Sequence, residues 1–228
     1  MMGEQTNVLI LTGSSRPGKT TSRSVGVYLS EALAARGVRS ETMRLRDALK
    51  ADRGSSDMLA AIDRADLLVL VFPLYISNLP ALAIRALEII AQRRGEGGGR
   101  KRFIAISQGG YPESCQAEAA LAVCQQFARE AGFEWAGGLA AGGGSVIGGQ
   151  PLESMGWLTK HYREALDMTA EAISRGQPVP GEAVETMARL VLPTWLLPPL
   201  LNTVMLLRLR QNGVLRTFRA RPFAENRG

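Results

Sequence analysis

The sequence predicts an α/β fold, a five-stranded parallel sheet covered by helices on both faces. Three observations predict it. Five strand-like segments alternate with helix-patterned segments, which demands crossover connections. The strongest of these strand-like segments are apolar throughout, as strands buried on both faces must be. No segment of 20–50 residues repeats, which excludes a solenoid.

The elements follow in order. Asn7–Thr12 (NVLILT) is an apolar run ending in a Gly/Ser turn and reads as a buried strand. Ser22–Arg36 places Val25, Leu29, Ala32 and Leu33 on one helical face and stops at Gly37. Val38–Leu45 is a weaker strand, and Ser55–Arg64 a short helix. Ala65–Phe72 (ADLLVLVF) is the strongest buried strand, closed by Pro73. Pro80–Arg94 is a helix running into the Gly-rich turn Gly95–Gly99. Arg102–Ser107 is the fourth strand, Ser114–Ala131 a helix stopped by Gly132, and Phe133–Ala140 the fifth strand. Leu158–Ser174 is a last helix, ended by Arg175-Gly176.

A break at Pro178–Gly181 then divides a domain over residues 1–180 from an extension over 181–228. Within the extension, Leu190–Leu207 runs 18 residues without a charge, long enough to raise the question of a membrane. Pro193, Pro198 and Pro199 interrupt it and argue against a simple spanning helix. It reads as an arm packed on the body or on a second copy of the chain, or else as a membrane-surface element.

Composition narrows the function classes. With 228 residues, 46% hydrophobic and 21% charged, the chain can bury a core unaided and is not disordered. Cys115 and Cys124 are too few for a disulfide scaffold, and with His161 too few for a zinc or iron–sulfur site. The cysteines read as helix-packing residues and His161, between Lys160 and Tyr162, as a surface residue. The start of the chain shows no basic n-region, so the expected location is cytoplasmic, with membrane association the alternative. The net charge is +6, of which +5 falls after Met205: Arg208, Arg210, Arg216, Arg219, Arg221 and Arg227 against Glu225. A nucleic-acid partner would have to rest on that tail alone, and none is expected.

Three loops carry candidate chemistry. Gly13-Ser14-Ser15-Arg16-Pro17-Gly18-Lys19-Thr20-Thr21-Ser22 follows the first strand and opens the first helix. Backbone N–H groups at a helix start form an anion site, here with Ser14, Thr20, Thr21 and Ser22 as hydroxyl donors and Arg16 and Lys19 as cations. Gly13 to Thr20 also satisfies G-x-x-x-x-G-K-[ST], the nucleoside-triphosphate loop. That chemistry needs a strand-end carboxylate for magnesium, and the later strands end in Phe72-Pro73 and Ser107-Gln108. The second loop, Phe72-Pro73-Leu74-Tyr75-Ile76-Ser77-Asn78-Leu79-Pro80, offers a stiff apolar and aromatic wall for a flat ring. In the third, Ser107-Gln108-Gly109-Gly110-Tyr111-Pro112-Glu113, the two glycines allow close backbone approach and Tyr111 can stack. All three loops leave the C-terminal ends of strands, where open α/β sheets bind ligands. One phosphate loop and two ring-lining loops suggest a mononucleotide with a planar head.

On these residues the chain resembles the flavodoxin-like NAD(P)H-dependent oxidoreductases, the family of FMN reductases and quinone reductases. GSSRPGKTTS looks like their FMN-phosphate loop, and FPLYISNLPALAIRALEII like their isoalloxazine loop with the helix that follows. SQGGYPES, FEWAGGLAAGGG and RLRQNGVLRTFRARPF are similar to one subgroup. The resemblance implies strand order 2-1-3-4-5 and noncovalent FMN. By it, Ser14, Arg16, Thr20, Thr21 and Ser22 hold the phosphate, with Lys19, a departure from the usual small polar residue, as an added contact. Pro73, Leu74, Tyr75, Ile76, Gln108, Gly109, Gly110 and Tyr111 surround the ring.

The expected activity is hydride transfer from NAD(P)H through bound flavin to a small acceptor such as a quinone, a free flavin or a nitro- or azo-aromatic. A P-loop kinase or NTPase, or a non-enzymatic flavin carrier or redox sensor, are the alternatives. No catalytic side chain is assigned, because the cofactor carries the chemistry. A homodimer is expected, and Gly137–Gly149, seven glycines in 13 residues, reads as a mobile lid or a plain flexible loop.

Overall fold

The computed structural model describes residues 6–50, 54–94, 101–190 and 197–214. The Gly95–Gly99 turn, Pro193 and the arginines from Arg216 onward lie outside the described residues.

Five strands, β1 (Asn7–Thr12), β2 (Arg39–Arg44), β3 (Leu67–Pro73), β4 (Lys101–Gln108) and β5 (Phe133–Ala141), form one sheet in the order β2-β1-β3-β4-β5. Every pairing is parallel. The crossovers are α1 (Thr21–Ala34), α2 (Leu45–Ala48) with α3 (Gly54–Arg64), α4 (Ala81–Arg94) and α5 (Glu118–Glu130). The chain continues through α6 (Lys160–Ser174), α7 (Gly181–Met187) and α8 (Leu197–Gln211). This is the flavodoxin-like architecture the sequence predicts.

Strand side chains alternate between faces, and two cores result. Val8, Ile10, Val69, Val71, Ile104 and Ile106 meet α1, α6 and α7 on one face. Leu9, Leu11, Leu68, Leu70, Phe72 and Phe103 meet α3, α4 and α5 on the other. Phe103 anchors the second core edge-on to Phe127, with ring centroids 5.2 Å apart. Against β4, β5 carries a bulge: Trp135 pairs with Phe103, but Gly137 rather than Ala136 pairs with Ile104. The carbonyl of Ala136 instead accepts the N–H of Val179, and a Cβ on Gly137 would lie 2.7 Å from Val179 Cβ. The bulge is the socket for the chain leading into α7.

Several expectations are corrected. The helix read over Ser114–Ala131 divides into a 3-10 turn, Ser114–Ala117, and α5. The start of the helix read over Leu158–Ser174 is a 3-10 segment, Glu153–Thr159, broken at Gly156 (φ 56°) before α6 begins. α7 buries Ala183, Thr186 and Met187 in the core, so the compact body reaches Arg189 rather than 180. Residues 190–228 form a second unit, in which Pro198 and Pro199 sit in the first turn of α8, where a missing N–H costs nothing. His161 is buried, not at the surface; it meets Tyr162 edge-on at 4.8 Å, and burial lowers its pKa. Cys124 packs in the core, where burial pushes its thiol up to about 12, but Cys115 is exposed.

Candidate functional site

The loop after β1 is held from below and turned by glycine. The N–H of Gly13 donates to the carbonyl of Val71 at 2.8 Å, and a Cβ at Gly13 would already touch that of Phe72. Gly18 takes φ +78°, reversing the chain so that Thr20 caps α1. Each hydroxyl then has a defined partner. Thr20 Oγ1 accepts from the N–H of Arg23 at 3.3 Å, and Ser14 Oγ from that of Arg16 at 3.4 Å. Ser22 is buried, and its Oγ accepts from Gln108 Nε2. Thr21 Oγ1 alone donates, to the carbonyl of Gly144 at 2.8 Å.

Three hydroxyls therefore accept from the protein and retain an O–H to give. The first helical N–H groups, those of Thr21 and Ser22, have no acceptor among the described residues, as expected at a helix start. Arg16 and Lys19 are exposed, and neither forms an ion pair with a described residue. The set is donors and positive charge only, which suits an anion.

The loop after β3 is joined to β4 by Leu74, whose N–H donates to the carbonyl of Gln108 at 2.9 Å. Beyond Pro73, Tyr75 and Asn78 exchange backbone hydrogen bonds across a two-residue turn. Its central residues, Ile76 (φ 50°) and Ser77 (φ 59°), are both left-handed. A β-branched residue is disfavoured there, and Ile76 is also completely exposed. Tyr75 beside it is 41% exposed. The turn holds an apolar side chain in water at a conformational cost.

At the end of β4, Gln108 is buried with its Oε1 unpartnered, and so is Ser107 Oγ. Gly109 donates to the carbonyl of Ala141 at 2.7 Å, and Tyr111 projects into solvent. An unpaired buried amide oxygen is costly, and a ligand with an N–H on its rim would satisfy it.

The glycine-rich stretch, expected as a mobile lid or a plain flexible loop, is hydrogen-bonded to its neighbours in the fold. Its first residues belong to β5, and the rest is fastened on both sides. Gly143 donates to the carbonyl of Tyr111 and Gly144 to that of Gly109, each at 2.8 Å, while Ser145 Oγ donates to the carbonyl of Gly110. A Cβ on Gly142 would overlap the carbonyl oxygen of Pro112, and one on Gly149 would lie 2.5 Å from the carbonyl carbon of Lys19. From beneath, Tyr162 donates its O–H to the carbonyl of Gly142 at 3.1 Å. This segment was expected as a lid or a flexible loop, and none of its residues was assigned a binding role.

The fourteen expected residues thus lie at the C-terminal ends of three adjacent strands. Gly13–Val71, Leu74–Gln108 and Gln108–Ser22 contacts tie their loops together. No expected site residue is a carboxylate, and no group of three or more His, Cys, Asp or Glu gathers among the described residues. A magnesium–nucleoside-triphosphate site would need a carboxylate at a neighbouring strand end, and β3 and β4 end in Pro73 and Gln108. An anion cradle, a buried acceptor and exposed aromatic and apolar side chains fit a phosphate joined to a flat heteroaromatic ring.

Residues 6–147 match the family model for the flavodoxin-like fold. No curated protein matches the chain. Among solved structures, one similar fold is RosB with bound 8-demethyl-8-formylriboflavin-5'-phosphate, 16% identical at a TM-score of 0.60, covering 75% of this chain and 78% of that one. Another is an FMN-dependent NADH-azoreductase from Bacillus anthracis str. Ames Ancestor in complex with FMN, 15% identical at 0.55, covering 74% and 99%. A third is the apo form of the NADH:FMN oxidoreductase EMOB, 15% identical at 0.54, covering 85% and 99%.

Proposed function

The chain belongs to the flavodoxin-like fold family, and from that premise we propose that it is an FMN-dependent oxidoreductase. It takes hydride from NAD(P)H and passes reducing equivalents to a small acceptor of the quinone, flavin, nitro- or azo-aromatic class. One observation carries the reading. The donor-only cradle at the start of α1 is joined, through Ser22 and Gln108, to a buried and unpaired amide oxygen. The names of the structural neighbours, an FMN-dependent azoreductase and an NADH:FMN oxidoreductase, support it.

Ser14, Thr20 and Ser22 would give their O–H groups to the phosphate, with the first N–H groups of α1, while Arg16 and Lys19 neutralise its charge. Gln108 would accept from the ring edge, and Pro73 with Leu74 would set the floor of the ring site. Gly109 and Gly110 admit the ring close to the backbone, and Tyr75, Ile76 and Tyr111 shield its face. FMN, when bound, supplies the hydride-accepting and electron-passing chemistry. The protein's share is to bind, orient and exclude water, which accounts for a site without an acid–base pair.

The test is titration of the purified protein with FMN, followed by flavin fluorescence, then anaerobic addition of NADH or NADPH while the visible flavin absorption is followed. Tight binding and bleaching are expected. Replacing Ser14 and Arg16 together by Ala should weaken FMN binding by about 10- to 100-fold, since it removes one hydroxyl and one charged hydrogen bond, with the far-UV circular dichroism unchanged. Absence of flavin binding would overturn the proposal. Unaltered affinity in the double variant would move the phosphate elsewhere.

A further inference from the structure

We propose that the unit Leu190–Gly228 docks the protein on an anionic lipid surface, with α8 lying in the headgroup layer. Along α8 the sequence Leu-Pro-Pro-Leu-Leu-Asn-Thr-Val-Met-Leu-Leu offers only Asn202 and Thr203 as polar side chains before Arg208. Met205, Leu206 and Leu207 are consecutive, so they point about 100° apart around the helix, yet each is between 42% and 54% exposed. A helix apolar on nearly all sides requires cover.

What covers it is decided by the charge beside it. From Met205 onward there are six arginines and one acid, while the rest of the chain is close to neutral at +1. A second copy meeting this unit about a two-fold axis would set +5 against +5, and the rest of the chain carries only +1 in all. A nucleic acid would match the arginines but leave the leucines in water. A surface with apolar chains below and negative headgroups above satisfies both.

The length of α8 agrees. The fifteen described residues of α8 reach about 22 Å at 1.5 Å each, short of the roughly 30 Å of a hydrocarbon core. Among the described residues no helix is long and apolar enough to cross a membrane. An in-plane position asks only for burial of the apolar side chains, with the arginines left at headgroup level.

The test is co-sedimentation of the full chain with vesicles of phosphatidylcholine alone or with about 30% phosphatidylglycerol. Binding to the anionic vesicles, weak binding to the neutral ones, and partial release by about 0.5 M salt are expected. Replacing Arg216, Arg219 and Arg221 by Gln should lower partitioning at least about tenfold. Replacing Leu206 and Leu207 by Glu should abolish it, with circular dichroism unchanged in both variants. Equal binding to both vesicle types, or none to either, overturns the proposal. A dimer in sedimentation that the Leu206→Glu, Leu207→Glu variant dissociates, without vesicle binding, assigns the face to a second copy. Vesicle binding that the leucine substitutions leave intact, matched by binding to duplex DNA, reduces the tail to a general polyanion ligand and also overturns it. FMN affinity measured on the same samples keeps this outcome separate from the oxidoreductase reading, on which it does not rest.

Discussion

At the scale of single residues, the closest approaches in the site are made by backbone. Gly142 lies so near the carbonyl of Pro112 that a methyl group would overlap it, whereas Gly143, at φ +70°, faces open space. Gly142→Ala should therefore destabilise the protein by about 3 kcal/mol through forced displacement of two backbones, and Gly143→Ala by only about 1 kcal/mol through its left-handed conformation. Urea unfolding of the two variants checks this, and a reversed order would mean that residues 142–149 are not strapped down. The hydroxyls make the limit of sequence reading concrete. Ser14, Thr20, Thr21 and Ser22 are equivalent donors on paper. In the fold Thr21 is committed to Gly144, 123 residues away, and Ser22 meets Gln108, 86 residues away. Local pattern carries no record of such partners. The strain at Ile76 is equally silent in sequence, because nothing about Ile-Ser announces a left-handed pair.

At the scale of elements, apolar runs between turn residues made β1, β3 and β4 legible to within about two residues, while β2 (RSETMR) was legible only from its place between two helices. α2 and α7 escaped because four and seven residues span too few turns to show a helical period. His161 escaped for a related reason: its neighbours Lys160 and Tyr162 suggest surface, but the first turn of α6 is rotated so that His161 and Tyr162 both face inward. This has a consequence in acid. Burial favours the neutral imidazole and outweighs the opposing pull of Glu164, so the folded pKa lies below the ordinary 6.5. The unfolded chain then takes up this proton first as pH falls. The contribution of His161 to stability is complete above pH 6.5 and is lost as pH drops from there through the folded value. His161→Gln should flatten the loss of urea midpoint between about pH 7 and pH 5 relative to the parent. An identical acid slope in the variant would assign it to carboxylates alone.

At the scale of the whole molecule, alternation of strand and helix determines both the sheet and the place of the site, since loops at the C-terminal strand ends of such a sheet converge. Where the body stops was not legible. Pro178–Gly181 reads as a break, yet the chain there is pinned to the bulge of β5, and Ala183 and Met187 fill the core behind it. A chain ending at Gln177 should lose several kcal/mol, the cost of two vacated core positions and an opened apolar face. One ending at Arg189 should keep the midpoint of the full-length body. Thermal melts of both truncations test the boundary, and equal stability would put it back near residue 180.

The strap from Gly142 to Gly149 also sets an order of events during synthesis. The anion loop leaves the ribosome early, within the first strand–helix unit. Its supports at Gly144 and Gly149 are made about 120 residues later, many seconds on at ordinary translation rates. A nascent chain thus displays the anion-loop sequence long before that loop is held in its folded shape. On the oxidoreductase reading proposed above, the phosphate would meet its assembled loop only after residue 149 has emerged.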